Sequence, residues 1–223
     1  SRTLTLAPGA ALFVEATVAD VTVTGSDRTD ATVTIARHAP SAAAMAGLPV
    51  VIEEQSDGIH IRVVQAGDGR DPALRAEIAV AAPSAVPVRS VRVFEGHVTV
   101  SGLTAACDVK IDRGSIDASG LAGRIRLESG LGDVEVRRSR LTPQGMMRLR
   151  TFNGRVRVRF DRPPAIGRIL AVTFNGTLSS DIPLNKKDRF GPRFGETTLG
   201  GDPATAPVLS IDVVKGDIEI KVG

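Results

Sequence analysis

Through the C-terminal half of the chain, apolar and polar residues alternate with a period of two on either side of a recurring glycine. The phrase reads Val91-Arg-Val-Phe-Glu-Gly96-His-Val-Thr-Val100, then Val109-Lys-Ile-Asp-Arg-Gly114-Ser-Ile-Asp-Ala118. Read with two extra residues, it becomes Ile125-Arg-Leu-Glu-Ser-Gly-Leu-Gly132-Asp-Val-Glu-Val136. It returns at Leu149–Val158 around Gly154, weakens at Ala171–Ser180 around Gly176, and is restored at Ile211–Ile220 around Gly216. Alternation of this kind puts apolar side chains on one face of a strand and polar ones in water. Glycine falls where the chain must bend between two such strands.

A unit of about twenty residues cannot bury its own apolar face, so repetition predicts stacked coils. The glycines are 18 residues apart from Gly96 to Gly132, 22 apart to Gly176 and 40 apart to Gly216, which predicts one coil carrying an insertion. Leu103, Leu121 and Leu141 follow the second strand of their coils and are expected to plug a third side. The fold expectation is all-β: a right-handed parallel β-helix, or β-solenoid, with crossovers of the usual hand. Its core is expected to hold Val98, Val100, Ile116, Ile125, Leu127, Val134, Val136, Val156, Val158, Ile218 and Ile220 on one continuous inner side.

Residues 1–88 alternate less regularly, with strand-like runs from Leu12 to Val80 separated by turn signals such as Gly25-Ser-Asp and Ser56-Asp-Gly. They read as a β-rich N-terminal portion or cap, and residues 89–223 as the repeat region with an insertion loop at 185–203. The segment from Ser41 to Gly47 reads as a loop or a single helical turn. With aromatic residues at 3% of 223 and neither Trp nor Tyr, the core must be built from Val, Ile, Leu and Ala.

Candidate chemistry is sparse. His38, His60 and His97 are far apart and in no metal-ligand spacing, so no metal or other cofactor is expected. There is no nucleophile elbow, and Gly195–Gly201 lacks the lysine of a phosphate loop. Asp68-Gly-Arg-Asp71 carries too few oxygen ligands for calcium and reads as a solvated turn. Cys107, the single cysteine, precedes an alternating strand and is expected to be buried and unreactive.

The phrases Val91–Leu103, Leu127–Val136 and Ser210–Ile220 resemble the putative-adhesin family of bacterial β-strand-repeat proteins, over roughly residue 75 to the C-terminus. The resemblance implies a β-helix outside the cytoplasm, in the periplasm, on the cell surface or tethered to the membrane. It carries over no enzymatic residues.

Charge adds a candidate site. Between Leu121 and Arg168 there are twelve arginines against four acids, although the whole chain is only +3. Aligning the phrases by their first apolar residue puts Arg92, Lys110, Arg126 and Arg150 in one outward column, with Arg124 and Arg148 two residues earlier. Such a column predicts a stripe for an acidic glycan, a cell-wall polymer or anionic lipid head groups; a protein partner is a further option. Past the glycine, Asp133 is expected beside Arg155 and Glu135 beside Arg157, a self-compensating face. Nucleic acid is not expected, because aromatic stacking platforms are scarce. Phe94, Phe152 and Phe174 share a position before the glycine and are expected to wedge the corners. Phe190 and Phe194, in the insertion, are expected to cap the open end. The function expected is a non-catalytic envelope or cell-surface binding scaffold, adhesin-like, for an acidic glycan or anionic envelope polymer. The alternative is a carbohydrate-active β-helix enzyme, a lyase or hydrolase, since Asp117 and Glu135 share an outward column.

Overall fold

The computed structural model describes residues 1–67, 70–143, 145–187, 191–202 and 204–223. Strands β1 (Arg2–Thr5), β2 (Ala11–Ser26) and β3 (Asp30–His38) come first. A helical turn, α1 (Ala42–Met45), is capped by the Ser41 hydroxyl, which accepts from the Ala44 N–H at 3.1 Å. Then follow β4 (Val51–Gln55), β5 (Gly58–Val63), β6 (Arg75–Pro83), β7 (Val88–Ser101) and β8 (Cys107–Ser119). Beyond them lie β9 (Ile125–Leu131), β10 (Val134–Arg137), β11 (Met146–Asn153), β12 (Val156–Phe160) and β13 (Gly167–Asn175). The chain closes with β14 (Leu178–Ser180), β15 (Asn185–Lys187), β16 (Arg193–Leu199), β17 (Val208–Lys215) and β18 (Ile218–Val222).

Each repeat phrase forms one rung with a strand on each of two faces. On the first face the parallel ladder runs β5, β2, β7, β8, β9, β11, β17, β13. On the second it runs β6, β2, β7, β8, β10, β12, β18, β14. Strands β2, β7 and β8 pass through the bend and serve both faces. At the bend, Gly96, Gly114, Gly132, Gly154 and Gly216 all have φ between 135° and 156°. A Cβ on any of these five would meet the backbone carbonyl of the neighbouring rung, so the glycines form an axial column. Three residues before the glycine, the buried hydroxyls of Ser129, Thr151 and Thr173 donate to the carbonyls of Gly114, Gly132 and Gly216, each at 2.8 Å. This satisfies carbonyls that the bend takes out of the ladder.

All eleven expected core residues are buried, none more than 1% exposed. Leu103 and Leu121 are buried with them, and Leu141 packs against the same core from a half-buried position. The all-β expectation holds. The expectation of purely parallel coils wound in sequence order does not, because the sheet is mixed. Antiparallel strands cover its ends: β3 on β6, β1 on β3, β4 on β5, and β16 on β13 with β15 outside it. Exposed edges invite pairing with other chains, and such strands occupy them.

The rung order also departs from the chain order. The last rung, β17 and β18, lies between β11–β12 and β13–β14. The residues explain the exchange. Ile218 and Ile220 are both fully buried and need a neighbour on each side, whereas the weakened phrase has Ser180 where others have an apolar residue, and β14 is only three residues long. A rung that is poor in apolar residues suits the outer position. The insertion expected as an end cap is the β15–β16 region lying along the β13 edge; Phe194 is half-buried there, and Phe190 lies outside the described residues.

Candidate functional site

The glycine column fixes the register of every outward side chain. Four residues before each glycine stand Arg92, Lys110, Glu128, Arg150 and Asp212, paired in that order. Two residues earlier, Asp108, Arg126, Arg148 and Ser210 form a second column. The expected single basic column is therefore split: the two extra residues of the third phrase do not exist, and Arg126 aligns with Arg148 rather than with Lys110. Alignment on the apolar start misplaced the phrase, whereas counting back from the glycine that stacks places it correctly.

This face carries an ionic zipper, made of pairs within a strand and pairs between rungs. Arg92 Nη1 lies 2.7 Å from Asp108 Oδ1, and Arg126 reaches Glu128 Oε1 at 2.8 Å through Nη2 and at 3.1 Å through Nε. Arg148 lies 3.7 Å from Asp212 and Lys110 4.0 Å from Asp112. Arg150 is in register between Glu128 and Asp212. Burial pushes the Glu128 carboxyl up, but the hydrogen bond and charge of Arg126, with Arg150 and Arg148 beside it, hold it below the ordinary 4.5. Arg124 is exposed and apart from this zipper; its carbonyl accepts the Cys107 N–H.

On the second face, acids just past the bend tie rung to rung. Asp20, Asp133 and Asp217 accept the backbone N–H of His97, Arg155 and Thr177 at 3.0, 2.7 and 2.8 Å. The hydroxyl and N–H of Thr177 hold Asp217 below the usual carboxylate range. Glu135 pairs in register with Arg157, as expected, and Arg157 Nε also binds Glu219 at 2.6 Å. Asp117 and Glu135 are register neighbours; His97 Nε2 lies 3.1 Å from Asp117, and Arg137 stands 3.9 and 3.6 Å from the two carboxylates.

Five residues past the glycine, the column becomes basic: Arg137, Arg159 and Lys221 are successive register partners. At a rung spacing of about 4.8 Å they are near neighbours. The chain then turns at Arg138, which has φ 49° and donates its N–H to the Arg159 carbonyl at 3.1 Å. Arg138 and Arg140 on one rung face Arg162 on the next across a cleft of about 460 Å³, with Asp161 on its wall. Among the described residues, Arg138, Arg140, Arg159 and Arg162 are exposed and have no carboxylate within 4.0 Å. The arginine excess between Leu121 and Arg168 thus collects at this end of the second face. The arginine count announced it, but the column chosen from the repeat did not contain it.

A second cleft of about 520 Å³ continues from the first, sharing Ser139, Arg140, Phe160 and Arg162. Its far wall is apolar, with Leu141, Pro164 and Ile166. Elsewhere, Phe152 and Phe174 do not wedge the corners; each is 60% exposed, because the residue two before the glycine points outward. Phe94 alone of the three is engaged, with the Arg70 guanidinium 3.5 Å from its ring centre. Asp71 accepts the Ala73 N–H, while Asp68 lies outside the described residues. Among the described residues no cluster of three metal-ligating side chains occurs, and no helix is long and apolar enough to cross a membrane.

No protein-family model and no curated protein matches the chain. Among solved structures it is similar to "a putative cell adhesion protein from Clostridium sporogenes", with a TM-score of 0.56 and 11% identity over all of this chain and 98% of that one. At that identity the likeness is one of fold.

Proposed function

We propose that the chain is a non-catalytic, adhesin-like binding scaffold of the bacterial envelope or cell surface, outside the cytoplasm, built on a right-handed β-helical core. Its ligand is an acidic glycan or anionic envelope polymer. The observation that carries this reading is the arginine cluster of Arg138, Arg140, Arg159 and Arg162. Other exposed cations, Arg89, Arg113, Arg124, Arg150, Arg155 and Arg193 among them, also lack a carboxylate within 4.0 Å among the described residues, but Arg138, Arg140 and Arg162 line one cleft together with Asp161 as its acid, and Arg159 is on the adjoining strand. Like charges held close cost stability, and an anion bridging them relieves that cost. The cell-adhesion description of the Clostridium sporogenes neighbour supports the same reading.

The first-face residues Arg92, Lys110, Arg124, Arg126, Arg148 and Arg150 have a smaller part in this proposal, because Arg92, Arg126 and Arg148 already hold carboxylates. The test is heparin binding by wild type and by Arg159→Ala, Arg162→Ala and Arg126→Ala at two salt concentrations. Each cluster variant is expected to bind about three- to tenfold more weakly, the equivalent of roughly 1 kcal/mol. Arg126→Ala is expected to bind as wild type does. Affinity should fall as salt rises. Wild-type protein that fails to bind heparin at low salt would refute the reading, as would equal losses at Arg126 and Arg162.

A further inference from the structure

Two clefts that share their central residues form one groove with two chemistries. The basic half is bounded by Arg138, Arg140 and Arg162, and the apolar half by Leu141, Pro164 and Ile166. Phe160, 4% exposed, belongs to both and forms the floor between them. Each half lies in the size range of small-molecule sites, about 300–1,000 Å³. The acids on the rim are few: Asp161 in the basic half, and Asp202 in the apolar half, whose Oδ1 is taken by the Ala204 N–H at 2.9 Å.

A highly charged polysaccharide would satisfy Arg140 and Arg162 but leave the apolar wall in water, including Ile166 at 51% exposure. A neutral apolar ligand would cover the wall and leave the guanidiniums uncompensated. An occupant matching both halves carries an anionic group and an alkyl chain on adjacent atoms. We infer that the groove takes one acyl chain of an anionic lipid, with the head group on Arg140 and Arg162 and the chain along Leu141, Pro164 and Ile166. This rests on the reading of the arginine cluster as an anion site and specifies the ligand at its edge. Guanidinium suits a phosphate head because its planar fork donates two parallel hydrogen bonds to oxyanions.

The experiment compares dodecyl phosphate, kept below its micelle concentration, with butyl phosphate and inorganic phosphate by calorimetric titration, alongside heparin. Dodecyl phosphate is expected to bind at least about tenfold more tightly than butyl phosphate, since several methylenes leave water only for the longer chain. Ile166→Ser, at an exposed position that leaves the fold intact, is expected to remove most of that chain-length dependence without changing heparin affinity. Arg162→Ala is expected to weaken dodecyl phosphate and heparin together. Heparin binding with no preference for dodecyl over butyl phosphate would overturn the lipid inference and leave the anion reading standing. A preference that survives Ile166→Ser would place the chain elsewhere and also overturn it. Wild type that binds no heparin would remove the underlying reading itself.

Discussion

Replacing Gly114 by alanine tests whether the axial glycine column holds the rungs together. Gly114 has φ 135°, a conformation that costs a residue with a side chain about 1–3 kcal/mol. The added Cβ would also collide with the Gly96 carbonyl oxygen and come within 2.9 Å of Ile111 Cδ1. A backbone carbonyl cannot swing aside, so the rungs would have to separate. Two interactions cross between those rungs: the β7–β8 ladder where Gly96 pairs with Gly114, and the contact of His97 Nδ1 with Ser115 Oγ at 2.8 Å. Weakening them adds about 1 kcal/mol each, for a total of about 3–5 kcal/mol. For a chain of this size that lowers Tm by roughly 6–20 °C. The control is Gly9→Ala, where φ is 81° but nothing lies within 4 Å of the added Cβ. That variant suffers only the backbone penalty, about 1–2 kcal/mol. Melting curves followed by far-ultraviolet circular dichroism distinguish the two. Equal falls in Tm would show that backbone conformation alone sets the cost and that rung contact at the column adds nothing.

Two further outcomes follow from the same packing. Burial, with the charge of Asp108 behind it, pushes the Cys107 thiol up to about 12, so labelling by a soluble thiol reagent at pH 8 should be slow in the native protein and rapid in denaturant; rapid native labelling would contradict its burial. Glu128 titrates below its ordinary value in the folded chain, so the stability from its pairing is present above about pH 4.5 and is lost as pH falls through the depressed folded value. Arg126 is half exposed, and solvent screening limits the contribution to about 0.5–1 kcal/mol. The Tm advantage of wild type over Glu128→Gln at pH 7 should therefore shrink by pH 3, and an advantage constant across that range would refute the pairing.

The core and the bend were legible because they depend on local rules. Alternation sends Val134 and Val136 inward whatever their partners are, and a glycine flanked by two alternating runs marks a bend whichever rung lies beside it. Register between rungs is a different matter, because it depends on which atom of one phrase rests on which atom of the next. At the third phrase, both Ile125 and Leu127 are apolar and both are buried, so hydrophobicity alone allows a two-residue slip that conserves the inner face. Only the collision rule at the stacked glycines removes the ambiguity. That slip moves Glu128 into the column of Arg92, Lys110 and Arg150, and an unpaired basic stripe becomes an ionic zipper.

Spatial rung order was also partly written in the chain. An interior rung must present apolar residues to neighbours above and below, and Ile211, Val213, Ile218 and Ile220 do so, all of them buried. The phrase around Gly176 fails at Ser180, which marks it as the rung to leave at the end. What concealed this was the assumption that strands adjacent in sequence stack in sequence, a tendency that a long insertion is free to break. The 40-residue interval between Gly176 and Gly216 supplies that freedom. It lets the chain lay β16 along the β13 edge before β17 and β18 fill the gap. The basic column beside the cluster is lengthened by the same exchange, because Lys221, itself 3.4 Å from Asp181, comes to lie beside Arg159 only when β18 stacks directly on β12. Inserting the last rung thus completes the core and extends the basic column of Arg137 and Arg159 by one cation. The feature that makes the winding irregular also concentrates positive charge at one end of the second face.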